Sequence, residues 1–184
     1  MEVIKLIEKY YEPGSNAFRF LLRHSELVAE KALQVARRVR ELSPDMVFIE
    51  EAAMLHDIGI FMTNAPKIGC YGHHPYISHG FLGRELLESE GLLRHALVCE
   101  RHVGVGLTAG DIKRSSFPLP VRDMTPLTLE EKIICFADKF YTKREDCLTQ
   151  EKTVGEVRDS IAGFGGDKLR LFDEWVSFFR EPQD

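Results

Sequence analysis

No uninterrupted apolar run in this sequence approaches the roughly 18 residues that a membrane-spanning helix needs. The first ten residues, Met1 to Tyr10, alternate charged with apolar side chains and offer neither a cationic start nor a small-residue cleavage site, so no secretory signal is expected. Cysteine is scarce and dispersed. Cys70, Cys99, Cys135 and Cys147 form no C-x-x-C pair, which argues against a zinc ribbon and against a redox dithiol. Cys99 and Cys135 stand among apolar neighbours and read as small core residues. An excess of positive charge is also missing: 24 Lys and Arg against 29 Asp and Glu give a formal charge of -5, with no basic footprint for a nucleic-acid duplex. Repeats of fixed period, low-complexity tracts and strand-period alternation are absent. These absences point to a cytoplasmic chain with neither a membrane nor a duplex as partner.

What is present is enough for one helical domain. At 184 residues and 44% apolar composition the chain can bury a core without staples, and its Gly and Pro residues gather into a few loops, so residues 1–184 read as a single domain. Ser15 can cap a helix running to about Leu42, with Leu21, Val28, Val35, Val39 and Leu42 near three- and four-residue steps and His24 inside that stripe. Ser43-Pro44 signals a second start, and the stretch through Ala52, Ala53 and Leu55 stops at Gly59, which puts His56 and Asp57 in its last turn. A long loop, 60–77, carries His73 and His74. Ser78 opens a helix to about Glu90, and another runs from Leu92 to about His102, so His79 begins one and His102 ends the next.

A second loop, rich in Gly and Pro, leads to Thr128 and Glu131, a capping-box pair before the helix that holds Asp138. Thr153 and Glu156 repeat that signal, and Leu169, Phe172, Trp175, Val176 and Phe179 form the apolar face of a last helix. The expectation is an all-α bundle of six or seven helices, with a motif-bearing core over 18–143 and C-terminal helices over 153–180 packed on it.

The chemistry concentrates in His24, the adjacent pair His56-Asp57, His79, His102 and Asp138. Four imidazoles and two carboxylates suffice for one or two divalent transition metals. Mixed N/O donors suit Fe or Mn best, with Co, Ni, Zn or Mg as alternatives. Neighbours on a helix point about 100° apart, so His56 and Asp57 can share a metal only at a helix end or if Asp57 reaches across a shared centre. A lone histidine on an apolar helical face is usually a core residue, and it is the ordered set that carries the argument. His73 and His74 read as loop residues that could at most support a pocket, and His95 reads as surface.

The run His56-Asp57-Ile58-Gly59, with His24 before it and Asp138 after it, resembles the signature of HD-domain metal-dependent phosphohydrolases: a histidine, an HD pair and a distant aspartate. Glu100-Arg101-His102-Val103-Gly104, Thr128 to Ile133 and Ala137-Asp138-Lys139 look like a prokaryotic branch of that superfamily. The resemblance implies the all-α HD fold. It implies one metal on His24, His56, Asp57 and Asp138, and a second on His79 and His102 with Asp57 bridging, as in the branches that hold two metals. Metals of this kind activate water and polarise a phosphoryl oxygen, so no Ser/His/Asp triad or nucleophilic cysteine is required.

Two divalent ions less two carboxylates leave the cluster cationic, which favours a small anionic phosphate-containing substrate, a nucleotide among the candidates. The reaction class spans phosphomonoesterase, phosphodiesterase and nucleotide pyrophosphohydrolase. His56 and Asp57 would carry the reaction, and Lys139 and Arg101, each beside a ligand in sequence, are candidates to contact substrate oxygens. His102-Val103 stands where cyclic-dinucleotide phosphodiesterases of this superfamily have two adjacent histidines, and no Gly-Tyr-Pro signature is present, so that branch is demoted. Two other readings stay open: a di-iron oxygenase of the same ligand pattern, and a non-catalytic ligand-binding HD module.

Overall fold

The computed structural model describes residues 2–142 and 149–182; Cys147 and Lys143, the end of the motif-bearing span, lie outside the described residues. A short helix, α1 (Val3–Glu8), leads to Ser15, whose Oγ accepts the Phe18 amide at 3.1 Å and starts α2 (Asn16–Arg38). Leu21, Val28, Ala32, Val35 and Ala36 recur at helical spacing along α2 and are all buried, so one face of that helix turns inward. The sequence suggested that it would continue to Leu42. Instead Arg40–Leu42 tightens into a 3-10 turn that Ser43 closes in the left-handed conformation, φ 53. Asp45, not Ser43, caps α3 (Met46–Leu55) by accepting the Phe48 amide at 3.0 Å.

Helix α3 ends at Leu55, before the expected stop at Gly59, because Asp57 leaves helical geometry at φ -107, ψ 9. Ile58–Met62 then winds as a 3-10 turn. Two strands, β1 (Asn64–Ala65) and β2 (Cys70–Tyr71), pair antiparallel in the expected loop. At two residues each they are too short to show a period of two in sequence. Helix α4 (His79–Ser89) ends before Gly91, which supplies the left-handed turn at φ 77, and α5 (Leu93–Arg101) follows.

Within the second expected loop lies α6 (Ala109–Arg114), closed by a full capping box between Thr108 and Asp111. Before α7 (Leu129–Asp138) only half the expected box forms: Thr128 accepts the Glu131 amide, but the Glu131 carboxylate turns to Leu127 N–H and Arg101. The box expected at Thr153 and Glu156 is complete and opens α8 (Val154–Ala162); α9 (Gly166–Phe178) is the last helix. The architecture is all-α, with nine helices among the described residues. The two that periodicity missed, α1 and α6, have six residues each, under two turns.

Helix α2 packs on α3 and α7, and α4 packs on α5 and on the 58–62 turn. Val28, Ala53, Phe136, Val157 and Phe172 join α2, α3, α7, α8 and α9 in one apolar cluster. Phe136 is wholly buried, its ring 5.0 Å from Phe140 and 5.4 Å from Phe172. Burial of a ring of this size stabilises by roughly 1.5–3 kcal/mol, so α9 seals the core that carries Asp138. Lys31 of α2, 3% exposed, sets its Nζ 2.5 Å from Glu181 and 2.6 Å from Glu151, which satisfies a buried charge and ties the chain after α9 to the bundle.

Candidate metal centre

Helix ends build the site. His56 caps the C-terminus of α3, His102 caps that of α5, and Asp138 is the last residue of α7; His79 opens α4 and His24 lies within α2. Residues at three helix C-termini, His56, His102 and Asp138, thus meet at one place, and the partial negative charge of a helix C-terminus favours cations there.

The imidazoles are aimed by their own backbone. His56, His79 and His102 each place Nδ1 2.7 Å from a carbonyl three residues earlier, those of Ala53, Tyr76 and Cys99. Those bonds assign the proton to Nδ1 and leave Nε2 inward, the arrangement that outer hydrogen bonds give to metal-binding histidine. The ring of Tyr76 also lies 4.7 Å from that of His79. Burial holds the His102 imidazole below its ordinary pKa, His56 adding to the effect and Asp57 opposing it.

Asp57, fully buried, lies between two histidine pairs. Its Oδ2 is 3.4 Å from Nε2 of both His24 and His56, and its Oδ1 is 3.3 Å from Nε2 of both His79 and His102. Asp138 Oδ1 completes the first pair, 3.1 Å from His24 and 3.4 Å from His56. On the other side His79 and His102 bring their Nε2 atoms to 3.1 Å. Two sets of ligand atoms, from His24, His56 and Asp138 and from His56, Asp57 and His102, each lie within 4.8 Å of one another, so His56 stands between the two halves. The donor set fits divalent cations. A carboxylate buried among four imidazoles is what a divalent metal would neutralise, and each of its two oxygens lies against a different pair of imidazole Nε2 atoms.

Of the other residues singled out in the sequence, Lys139 joins this group: its Nζ is 2.7 Å from Asp138 Oδ2 and donates to the His102 carbonyl at 3.1 Å. Arg101 does not. Its Nη1 reaches both oxygens of the buried Glu131 at 2.9 Å, which ties α5 to α7 away from the ligands. His73 and His74 are exposed. His95 is more enclosed than a surface residue, its ring 4.9 Å from Phe48 and its Nε2 3.6 Å from Glu51.

A cavity of about 790 Å³ opens beside the ligands, with Asp138, Lys139 and the Val103–Leu107 segment in its wall. Asp111 and Lys168 also line it, and sequence reasoning missed both. The Thr-x-x-Asp capping signature at Thr108 could have revealed Asp111, whereas Lys168 carries no local signal.

The HD domain family profile matches residues 21–143. An uncharacterised protein of Methanocaldococcus jannaschii is 34% identical over 155 residues, 80% of this chain and 83% of that one. A tRNA (cytidine(56)-2'-O)-methyltransferase of Picrophilus torridus is 34% identical over 127 residues, 68% of this chain; the match spans 32% of that longer protein. Among solved structures, the HD domain of the L. monocytogenes phosphodiesterase PgpH superposes with a TM-score of 0.55 at 14% identity over 97% of each chain. The same domain in complex with cyclic-di-AMP gives 0.55 at 15% over 100% of each. At such identities the likeness concerns the fold.

Proposed function

This chain belongs to the HD domain family, and on that premise we propose that it is a metal-dependent phosphohydrolase that cleaves a phosphate ester or anhydride of a small substrate with water. The observation that carries this reading is the Asp57 carboxylate, whose two oxygens each face a different pair of imidazole Nε2 atoms at 3.3–3.4 Å. His24, His56, Asp57 and Asp138 would hold one metal, and His79, His102 and Asp57 a second, Fe or Mn being the best match to these donors. Divalent ions held by these residues would supply Lewis acidity toward a phosphoryl oxygen and would lower the pKa of water toward neutrality.

The chain's own residues do the rest. Asp57 and Asp138 balance charge, and the carbonyls of Ala53, Tyr76 and Cys99 hold three imidazoles in the tautomer that presents Nε2. Lys139, fixed by Asp138 and the His102 carbonyl on the cavity wall, is placed to orient an anionic oxygen. The free, buried thiols of Cys70, Cys99 and Cys135 support a reducing, cytoplasmic setting. Among the described residues no helix is long and apolar enough to cross a membrane.

The test is phosphate release from a panel of nucleotides and sugar phosphates with Mn, Fe, Co or Mg, run without dioxygen and in water enriched in heavy oxygen. The expected result is release with the label on phosphate. Label only on the leaving alcohol, or strict dependence on dioxygen, would overturn the reading, the latter in favour of a di-iron oxygenase.

A further inference from the structure

The wall of the cavity beyond the metal ligands is cationic, although the chain as a whole carries a formal charge of -5. Lys168 of α9, buried, donates to the Gly106 carbonyl at 2.8 Å and lies 2.6 Å from Asp111 Oδ2. Arg114 pairs with Oδ1 of that same carboxylate, so one negative charge serves two positive ones. Lys67 and Lys152 line the cavity as well, and no carboxylate among the described residues forms an ion pair with either. Apart from Asp138 and Lys139, these four cations against Asp111 leave an excess of three positive charges among the residues that line the cavity.

The backbone sets how far this wall stands from the reaction centre. Lys139 donates to the carbonyl of His102 and Lys168 to that of Gly106, so the two ammonium groups hold opposite ends of one cavity-lining segment. A turn closed by Gly106 N–H on the Val103 carbonyl at 3.0 Å shortens that segment. The Cα atoms of its ends therefore lie within about 11 Å. Gly106 is required there: its φ is +93, and a Cβ would meet Pro126 Cδ at 2.8 Å. Val105, Leu107, Phe117 and Phe164 give the cavity an apolar surface.

We propose that the cavity takes a substrate with two phosphate groups, one at the metal centre beside Lys139 and one at a second anion subsite formed by Lys168, Arg114 and Lys152, with a flat or apolar body between them. A phosphate rather than a singly charged group is the match because its near-dianionic charge meets the twofold positive excess that Lys168, Arg114 and Lys152 leave over Asp111. The inference rests on the phosphohydrolase reading and extends it to substrate class.

The test is calorimetric titration of manganese-loaded protein with adenosine 5'-monophosphate and adenosine 3',5'-bisphosphate, which differ by one phosphate. The bisphosphate should bind about tenfold or more tightly, and its advantage should shrink as salt rises. In a Lys152→Ala/Arg114→Ala double variant the ratio of affinities should fall to within about twofold of unity. Arg114 is exposed, and an unchanged melting temperature checks the fold of that variant, whereas Lys168→Ala would strand Asp111. Equal affinities in the unaltered protein, no measurable bisphosphate binding, or an advantage that survives both substitutions would each overturn the second subsite. Failure of the phosphohydrolase reading shows separately, as no phosphate released from any ester.

Discussion

A Cβ on Gly59 would lie 2.3 Å from the backbone oxygen of His79 and 2.5 Å from the amide nitrogen of Gly83. The turn that follows Asp57 is therefore in direct backbone contact with α4. On the far side of α4 the pattern repeats, since a Cβ on Gly80 would meet the Cys99 carbonyl at 2.5 Å. Glycines on both sides allow α4 to sit between that turn and α5, which is how His79 comes within 3.1 Å of His102. Gly59→Ala should push α4 outward, lower stability by roughly 1–3 kcal/mol and weaken the His79/His102 half of the centre first. At Gly83 the nearest atom is 3.2 Å away, and alanine gains up to about 1 kcal/mol of helix propensity, so Gly83→Ala should be nearly neutral. Urea unfolding of the two variants decides, and equal losses would remove the close-approach argument.

Metal stoichiometry separates the two halves of the site. Asp57→Asn should lose both metals, because each carboxylate oxygen faces one histidine pair, whereas His79→Ala or His102→Ala should chiefly lose one. Elemental analysis after reconstitution with Mn or Fe reads the result directly. Retention of two metals by both histidine variants would return these residues to structural roles. Chelation should also lower the melting temperature of the unaltered protein, as removal of any ligand specific to the folded state does.

His56, Asp57, His79, His102 and Asp138 were legible in sequence as helix-boundary residues, with Gly59, Gly91 and Thr128 as local punctuation, whereas His24 lies inside the apolar stripe of α2 and stood out only as a member of the ordered set. The all-α class was legible for the same reason, since α2, α7 and α9 are long enough to show an apolar stripe. What escaped depends on contacts distant in sequence. Gly59 read as a helix stop, but its reason lies 20 residues on, at the His79 carbonyl. Arg101 read as a substrate contact because it adjoins His102, yet neighbours on a helix point in different directions and Glu131 claims it. Lys168 reaches the cavity only because the fold brings the start of α9 to Asp111 of α6, 57 residues earlier in sequence.

The Arg101 geometry gives its own experiment. Glu131 is 4% exposed, so Arg101→Ala leaves a buried carboxylate without its cationic partner and should cost about 2–4 kcal/mol of stability. Arg101→Lys, which keeps the charge on a shorter side chain with a more compact head, should fall between. Thermal melts and steady-state kinetics on the same preparations separate the roles. A raised KM with an unchanged melting temperature in Arg101→Lys would restore the substrate contact.

Asp111 makes stability depend on pH in a defined direction. Burial alone would raise its pKa, but hydrogen bonds from Lys168 and from the Thr108 amide and hydroxyl outweigh burial and hold the carboxyl well below the ordinary carboxylate value. A folded pKa below the unfolded one means that the unfolded chain binds more protons in between. The stabilisation is then complete above the unfolded value, about 4, and is lost as pH falls from there toward the folded pKa. Asp111→Asn removes the charge and leaves Lys168 against a neutral amide, so at pH 7 the variant should be less stable by roughly 1–3 kcal/mol. Below about pH 4 the gap should narrow steadily, because the unfolded chain takes up a proton on Asp111 that the folded protein does not. Urea midpoints for both proteins from pH 7 down to the acid transition measure it. A deficit that stays constant across that range would show that Asp111 acts through shape rather than charge.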